Sequence, residues 1–372
     1  MDAEGPPRFI NAFWTAAQRQ GHAIHEISYR ACFKPQLPAF FIERLTSPGD
    51  TVYDPFMGRG TTPIQAALMG RRPIGADINP LSAMLTRPRT APPSLDAVRD
   101  RLDEIDWTAG ETGPDDLLVF YHPDTLRQIT ALKAWLLQRE GSDDLDRADD
   151  WIRMIALNRL SGHSSGFFSV YTLPPNQAVG LKSQARINAR LSQTPPPRDV
   201  PAIILRKSRS LLRQGGPPSV GAGRFLTAPA QHTPEIATGS VDLVVTSPPF
   251  LDVVQYAADN WLRCWFAGIE PAAIAIAMHR TVPVWTAFIA GVLGELERVL
   301  APGGHVAFEV GEVRSGTAAL EDAVLDALAS TALEPLAVMI NDQAFTKTAN
   351  CWGVSNNARG TNTNRIVIAR RS

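Results

Sequence analysis

Cysteine is scarce in this sequence of 372 residues. Cys32, Cys264 and Cys351 are widely separated and form no CxxC pair, so neither a disulfide framework nor a zinc site is indicated. The sequence also lacks the run of about 18 uncharged apolar residues that a membrane-spanning helix needs. Its first residues, MDAEGPPRF, lack the basic-then-apolar pattern of a secretion signal. These absences together predict a cytoplasmic protein without a bound metal.

Net charge is close to zero, but the charges are unevenly distributed along the chain. The formal total of −1 by itself argues against a dedicated nucleic-acid-binding protein. However, residues 92–150 contain 15 acidic and 6 basic side chains, whereas residues 151–214 contain 10 basic side chains and one acid, Asp199. The near-neutral total therefore conceals a strongly basic segment that follows an acidic one.

The first 90 residues contain a nucleotide-binding pattern. An amphipathic segment at residues 9–17 and a helix near residues 40–45 precede a short strand at residues 51–53. A glycine-rich turn, a helix from Pro63 and a second strand that ends at Asp77 follow it. The order of strand, glycine-rich turn, helix, strand and acid predicts the first half of a doubly wound α/β sheet.

This pattern stops near residue 90 and resumes near residue 221. An interruption of about 130 residues is too long for a connecting loop, and its periodicity predicts mainly helices. Strands are predicted again at residues 225–227, 241–246, 305–310, 336–340 and 365–369, with the last strand beside its predecessor as a hairpin. We therefore predict a doubly wound mixed sheet, residues 1–90 and 221–372, with a mostly helical insertion at residues 91–220.

Residues 246–250, Thr-Ser-Pro-Pro-Phe, directly follow the apolar strand of residues 241–245. Two consecutive prolines fix φ and remove two backbone N–H groups, so nearby carbonyls can face a ligand without a competing amide. Ser247 adds a hydroxyl oxygen that can accept a hydrogen bond, and Phe250 adds a flat ring. Such a site suits an exocyclic amine on a planar heterocycle.

The glycine-rich turn indicates the type of cofactor. Gly58 and Gly60 allow a ligand to approach the backbone closely, at the start of a helix with unpaired N–H groups. Asp54 would repel a diphosphate but would attract an ammonium group, which favours a zwitterionic cofactor. Asp77, at the end of the second strand, is placed to accept hydrogen bonds from ribose hydroxyls.

Residues 54–62 resemble the cofactor motif of the S-adenosylmethionine-dependent DNA amino-methyltransferases, and residues 246–250 resemble their catalytic motif in its Ser-Pro-Pro-Phe variant. Residues 33–38 and 75–80 resemble two further motifs of this family. The resemblance covers roughly residues 28–90 and 225–312, and it implies a Rossmann-like methyltransferase fold. One departure is that Thr227 and Ala228 stand where relatives often carry Gly-Asp.

The resemblance implies S-adenosylmethionine as cofactor, with Asp54 on its ammonium group, Asp77 on the ribose and Ile78 on the adenine. The implied cofactor-binding residues are Asp54, Phe56, Gly58, Gly60, Thr61, Asp77 and Ile78, and the implied catalytic residues are Ser247, Pro248, Pro249 and Phe250. The implied substrate is a base flipped out of double-stranded DNA, most often cytosine methylated at N4 in this variant. Adenine N6, an RNA base amine and a catalytically silent nucleic-acid-binding subunit remain alternatives.

The basic insertion lies where one branch of this family has its target-recognition region. Lys182, Arg186 and Arg190 recur every four residues and share one helix face, and Arg206 and Lys207 belong to a second basic cluster. We expect these five side chains to contact phosphates, although a solvated charged face is the plain alternative. A cognate restriction endonuclease is a possible partner, and a monomer would suffice for the chemistry.

Overall fold

The computed structural model describes residues 5–14, 21–29, 32–173, 178–218, 223–249, 256–274, 279, 281–311, 319–341 and 364–372. Within these residues, none of the helices is both long enough and apolar enough to cross a membrane.

An eight-stranded mixed sheet forms the centre of the molecule. Its strands are β1 (Arg8–Asn11), β2 (Thr51–Asp54), β3 (Arg72–Asp77), β4 (Arg224–Thr227), β5 (Val241–Thr246), β6 (Leu300–Val310), β7 (Leu333–Asn341) and β8 (Asn364–Arg371). The strand order is β1-β7-β8-β6-β5-β2-β3-β4. β8 is antiparallel to both neighbours and the other pairs are parallel, so the predicted hairpin of the last two strands is confirmed.

Helices cover both faces of this sheet, which makes it the doubly wound sheet that the sequence predicts. The helices are α1 (Gln36–Leu45), α2 (Thr61–Leu68), α3 (Pro80–Thr90), α4 (Leu95–Glu104), α5 (Pro123–Gly141), α6 (Arg147–Arg159), α7 (Leu181–Leu191), α8 (Val200–Leu211), α9 (Tyr256–Ala267), α10 (Val282–Val299) and α11 (Leu320–Leu328). Successive side chains of β5 alternate between the faces. Leu243 and Val245 pack in a cluster with α1 and α2, whereas Val244 packs with α10 and α11.

The insertion is mainly helical, as the sequence predicts, and it contains α4 to α8. Its apolar core is continuous with that of the sheet region, because Leu81 and Leu85 of α3 share one buried cluster with Trp151 and Ile155 of α6. This packing holds the insertion against the helix that follows β3. The division of the chain at residues 90 and 220 stays a prediction.

Two predicted segments differ in their details. Residues 9–11, the start of the amphipathic segment predicted at residues 9–17, belong to an exposed edge strand paired with β7, and residues 15–17 lie outside the described residues. The strand predicted at residues 305–310 begins earlier, because residues 301–304 are also part of β6, which starts directly after α10 at Leu300. The register between β5 and β6 shifts there, so the strand accommodates the Pro-Gly-Gly sequence through an irregularity.

Candidate functional site

The carboxyl ends of β2 and β5 lie side by side. Val52 pairs with Leu243 in the parallel register, which places Asp54, the last residue of β2, beside the end of β5. The Thr246 hydroxyl donates a hydrogen bond to Asp54 Oδ1 at 2.7 Å. The structure therefore brings the glycine-rich motif and the Ser-Pro-Pro motif, 192 residues apart in sequence, into direct contact.

Asp54 is buried and has no cationic partner among the described residues. Its exposed fraction is 1%, and its Oδ1 also accepts a hydrogen bond from the Phe56 amide at 3.0 Å. Burial raises the pKa of Asp54 to about 7, although the hydrogen bonds from Thr246 and Phe56 lower it. Among the residues that the structure describes, no lysine or arginine forms an ion pair with this carboxyl group. A buried acid of this kind suits a ligand that brings its own positive charge.

Asp77 occupies the equivalent position at the end of β3. Its carboxylate accepts hydrogen bonds from the amides of Gly58 and Asn79, both at 2.9 Å. Burial raises its pKa as well, and the two amides lower it. The Asn79 side chain in turn caps α3 by accepting a hydrogen bond from the Leu81 amide. The acid is thus held rigidly between the glycine-rich turn and the start of α3, with the half-buried Ile78 beside it.

Glycine is favoured at the two positions of the turn for different structural reasons. Both have positive φ, +50° at Gly58 and +79° at Gly60, a conformation that favours glycine. A Cβ atom on Gly60 would overlap the Thr86 side chain of α3, so this glycine permits close helix packing. A Cβ on Gly58 would meet nothing closer than Tyr29 Cε1 at 3.8 Å. A Cβ on Gly58 would thus make only ordinary contacts, so its positive φ, rather than a lack of space, is the reason that glycine is favoured there.

The other predicted cofactor residues lie close to this turn. Phe56 is half-buried, with its ring centroid 6.0 Å from that of Phe288 on α10. Thr61 is buried at the start of α2, and its hydroxyl oxygen accepts a hydrogen bond from Arg59 Nε at 3.2 Å. All seven residues predicted for the cofactor thus flank the carboxyl ends of β2 and β3.

Glu309 on β6 is a site residue that the sequence interpretation missed. Thr246 pairs with Phe308 in the parallel register, which places Glu309 beside Ser247. Glu309 is 5% exposed, and its carboxylate accepts hydrogen bonds from the Ser247 hydroxyl and, at 2.9 Å, from Asn364 Nδ2. Burial raises the pKa of Glu309, and both hydrogen bonds lower it. The sequence contained a signal for this residue, because Glu309 is an acid within the mainly apolar strand predicted at residues 305–310.

The rest of the predicted catalytic motif is described only in part. Pro248 is buried and Pro249 is half-buried. Phe250, predicted to stack on a base, lies outside the described residues. Ser247 is half-buried, and its hydroxyl is oriented by Glu309.

The basic residues of the insertion divide into two groups. Lys182, Arg186 and Arg190 are exposed on one face of α7, whose opposite face buries Gln184 and Ile187. The second group lies on α8, where Arg206 is exposed and donates to the Ser165 carbonyl at 3.4 Å.

Lys207, the other residue of α8 that was predicted to contact phosphates, is less accessible to a ligand. Its side chain is 15% exposed and lies 3.9 Å from Glu26. Burial and the nearby Arg159 lower its pKa to about 8, although Glu26 raises it. Four of the five predicted phosphate contacts are therefore accessible to a large ligand, and Lys207 is the least so.

The amino-terminal part of the chain matches a known family. Residues 4–84 match the family model described as DNA methylase. Over 64 residues the chain is 44% identical to the type II methyltransferase M.MjaII of Methanocaldococcus jannaschii, which is 17% of this chain and 12% of that protein. It is 29% identical to M.MvaI of Kocuria varians over 148 residues, 39% of this chain and 28% of that protein. A longer match, 22% identical over 285 residues, is to M.BsoBI of Geobacillus stearothermophilus and covers 68% of this chain and 55% of that protein.

These matches span at most about half the length of the curated relatives. Among solved structures, a putative DNA modification methylase of Thermus thermophilus in complex with S-adenosyl-L-methionine aligns with a TM-score of 0.23 and 21% identity, over 36% of this chain and 49% of that one. That overlap is too slight to carry an argument. The chain is therefore similar to the DNA methylase family over residues 4–84 and to type II methyltransferases over longer stretches.

Proposed function

We propose that this protein transfers a methyl group from S-adenosylmethionine to the exocyclic amine of a base flipped out of double-stranded DNA, with cytosine N4 as the target. The observation that carries the proposal is the contact between Thr246 and Asp54, which sets a predicted cofactor acid directly beside Ser247 and its buried partner Glu309.

The acids at the strand ends fit this cofactor. Asp54 would hold the methionine ammonium group, Asp77 the ribose hydroxyls, and Ile78 would pack on the adenine. When bound, S-adenosylmethionine supplies an electrophilic methyl group. Neither Asp54 nor Asp77 has an ion-pair partner among the described residues, and burial raises the pKa of both, so a cationic cofactor is favoured over an anionic dinucleotide.

Ser247 and Glu309 would act on the amine of the base. An amine conjugated to an aromatic ring is a poor nucleophile, because its lone pair is delocalised. The Ser247 hydroxyl donates a hydrogen bond to Glu309, so the lone pairs of Oγ are left to accept a hydrogen bond from the amine. A second N–H would donate to the Pro248 carbonyl, and the two bonds would draw the nitrogen toward tetrahedral geometry.

Methylation of nitrogen must be followed by loss of one proton from it. Glu309 is suited to receive this proton through Ser247, because burial disfavours its charged form and so raises its pKa. Most of the rate enhancement in this scheme comes from positioning the amine and from the local acid-base pair.

The insertion would bind the DNA. The exposed face of α7 that carries Lys182, Arg186 and Arg190 offers three charges to phosphates. A base must leave the duplex before its amine can reach Ser247, at a cost of a few kcal/mol. Stacking on Phe250, worth about 1–3 kcal/mol, would offset part of that cost.

Nucleoside mass spectrometry tests the proposal. The chain is expressed in a host free of DNA methylation, and its DNA and RNA are digested separately to nucleosides. We expect N4-methylcytosine in DNA, absent with Ser247→Ala and present at the normal level with Ser330→Ala, a matched change at an exposed turn on the sheet region. N6-methyladenine alone would move the target to adenine. Methylated bases confined to RNA would overturn the choice of DNA.

A further inference from the structure

A buried tryptophan contacts the catalytic motif from the opposite side to Glu309. Trp285 lies in the first turn of α10 and has no exposed surface. Its indole Nε1–H donates a hydrogen bond to the Pro249 carbonyl at 2.9 Å.

The tryptophan is itself held rigidly. It belongs to the apolar cluster in which α10 packs against the sheet, together with Val244 of β5 and Val306 of β6. The indole therefore links the motif to the same strand that leads into it. Together with the side-chain contacts of Thr246 to Asp54 and of Ser247 to Glu309, it anchors three of four consecutive residues.

The Ser-Pro-Pro sequence presents two carbonyls in succession, at Pro248 and Pro249. Either could accept a hydrogen bond from an amine, but only one can form the second acceptor beside Ser247 Oγ. Trp285 occupies the Pro249 carbonyl, and no described residue donates to the Pro248 carbonyl. The indole thus selects which carbonyl of the pair is left for the substrate.

We propose that Trp285 is a positioning residue for methyl transfer, which holds the Pro249 carbonyl so that Ser247 Oγ and the Pro248 carbonyl together receive the two N–H groups of the target amine. This proposal rests on the proposed function. It requires no contact between Trp285 and either the base or the cofactor.

Two substitutions separate the hydrogen bond from the volume of the ring. Trp285→Phe retains most of the volume but removes the donor, whereas Trp285→His leaves a larger void and retains an N–H group. We expect kcat for methylation of genomic DNA from a methylation-free host to fall about tenfold in Trp285→Phe, and less in Trp285→His. The KM for S-adenosylmethionine should stay within about twofold, because the indole does not line the acids that hold it.

Trp107→Phe is the matched control. Its indole Nε1 also donates to a backbone carbonyl at 2.9 Å, that of Leu102, but in the insertion. This variant should retain normal kcat. Unchanged kcat in Trp285→Phe, or lower kcat in Trp285→His than in Trp285→Phe, would overturn the proposal. If a variant's Tm falls, the assays are performed below its unfolding transition, where it remains folded.

Hydrogen exchange provides a readout that does not depend on activity. The amides of residues 244–247, which lead into the two prolines, should exchange at least about threefold faster in Trp285→Phe than in Trp107→Phe, because the segment then has one anchor fewer. Equal exchange would contradict the proposal. If the wild-type chain transfers no methyl group, the proposed function fails, and the exchange result alone then decides whether Trp285 fixes the loop.

Discussion

Buried carboxylates occur both at the ends of the central strands and in the insertion, but their surroundings are opposite. Asp54 and Glu309 have neutral hydrogen-bond partners, and burial raises the pKa of each. Asp149, at the start of α6, is also fully buried, yet it lies 2.5 Å from Arg101 and 2.8 Å from Arg139. Burial alone would raise its pKa, but the hydrogen bonds from these arginines lower it.

The difference separates structural acids from candidate functional ones. A buried acid paired with arginines has its charge neutralised within the fold and stabilises the packing around it. A buried acid without a cationic partner is stabilised when it binds either a cation or a proton. Such acids are common at binding and catalytic sites. The same residue type thus joins helices in the insertion and, in the proposed function, receives ligands at the strand ends.

Asp149→Asn should give the largest effect on stability. The substitution keeps the shape of the side chain but leaves two arginines without their buried anion, which costs about 3–5 kcal/mol. Urea unfolding measures the free energy directly. Because the native pKa of Asp149 is lowered, its contribution is present above the unfolded pKa of about 4 and is lost as the pH falls below it. If the free energy of unfolding falls by less than about 1 kcal/mol, Asp149 does not differ from the acids at the strand ends in its contribution to stability.

Glu309→Gln makes the same chemical change at the strand ends and should leave stability almost unchanged. A neutral amide is less costly to bury than an unpaired carboxylate, so the free energy of unfolding should stay level or rise. The amide cannot accept the proton that leaves the amine, and kcat should fall about a hundredfold. Nucleoside mass spectrometry of host DNA measures the activity. Normal methylation would show that Glu309 has only a packing role.

Asp54 should make cofactor binding depend on pH. Its pKa is raised to about 7, so the carboxylate that attracts an ammonium group is mostly protonated at pH 6. Affinity for S-adenosylmethionine should fall about tenfold between pH 7.5 and pH 6, as measured by calorimetry. Asp54→Asn should bind weakly with little dependence on pH. The raised pKa also means that Asp54 stabilises the unliganded fold below about pH 4, an effect lost as the pH rises through 7.

The exposed charges of α7 should give the smallest effects. Replacing Lys182, Arg186 and Arg190 together by glutamine should make DNA binding less sensitive to salt. The slope of log K against log salt concentration should decrease in magnitude by about 0.9 for each phosphate that these side chains neutralise. Arg127→Gln on α5, whose side chain pairs with Asp124 at 3.1 Å, is the control. Fluorescence anisotropy over a range of salt concentrations measures the slope. An identical slope for the triple variant and the control would remove α7 from the DNA interface.

The sequence predicted the elements around the site well, because their signals are local. The apolar run of residues 241–245 identified β5 to the residue, and Gly58 and Gly60, which have positive φ, marked the turn after β2. The acids at the ends of parallel strands must lie at one edge of the sheet, so the neighbourhood of Asp54 and Asp77 followed from topology.

Contacts across strands could not be predicted in the same way. The pairing of Ser247 with Glu309 depends on the register of β5 and β6, which includes a shift that no local pattern encodes. The contact of Trp285 with Pro249 depends on how α10 packs on the sheet. Likewise, Lys207 reads as one more basic residue of α8 in sequence, and only the fold places Glu26 beside it.

Proton release on cofactor binding tests the central claim most directly. Calorimetric titration of S-adenosylmethionine at pH 7, in buffers of different ionisation enthalpy, measures the number of protons released. Because Asp54 is about half protonated at this pH, an ammonium group that binds it should expel about half a proton, and Asp54→Asn should expel almost none. Binding without proton release in the wild type, or equal release in both proteins, would contradict the account.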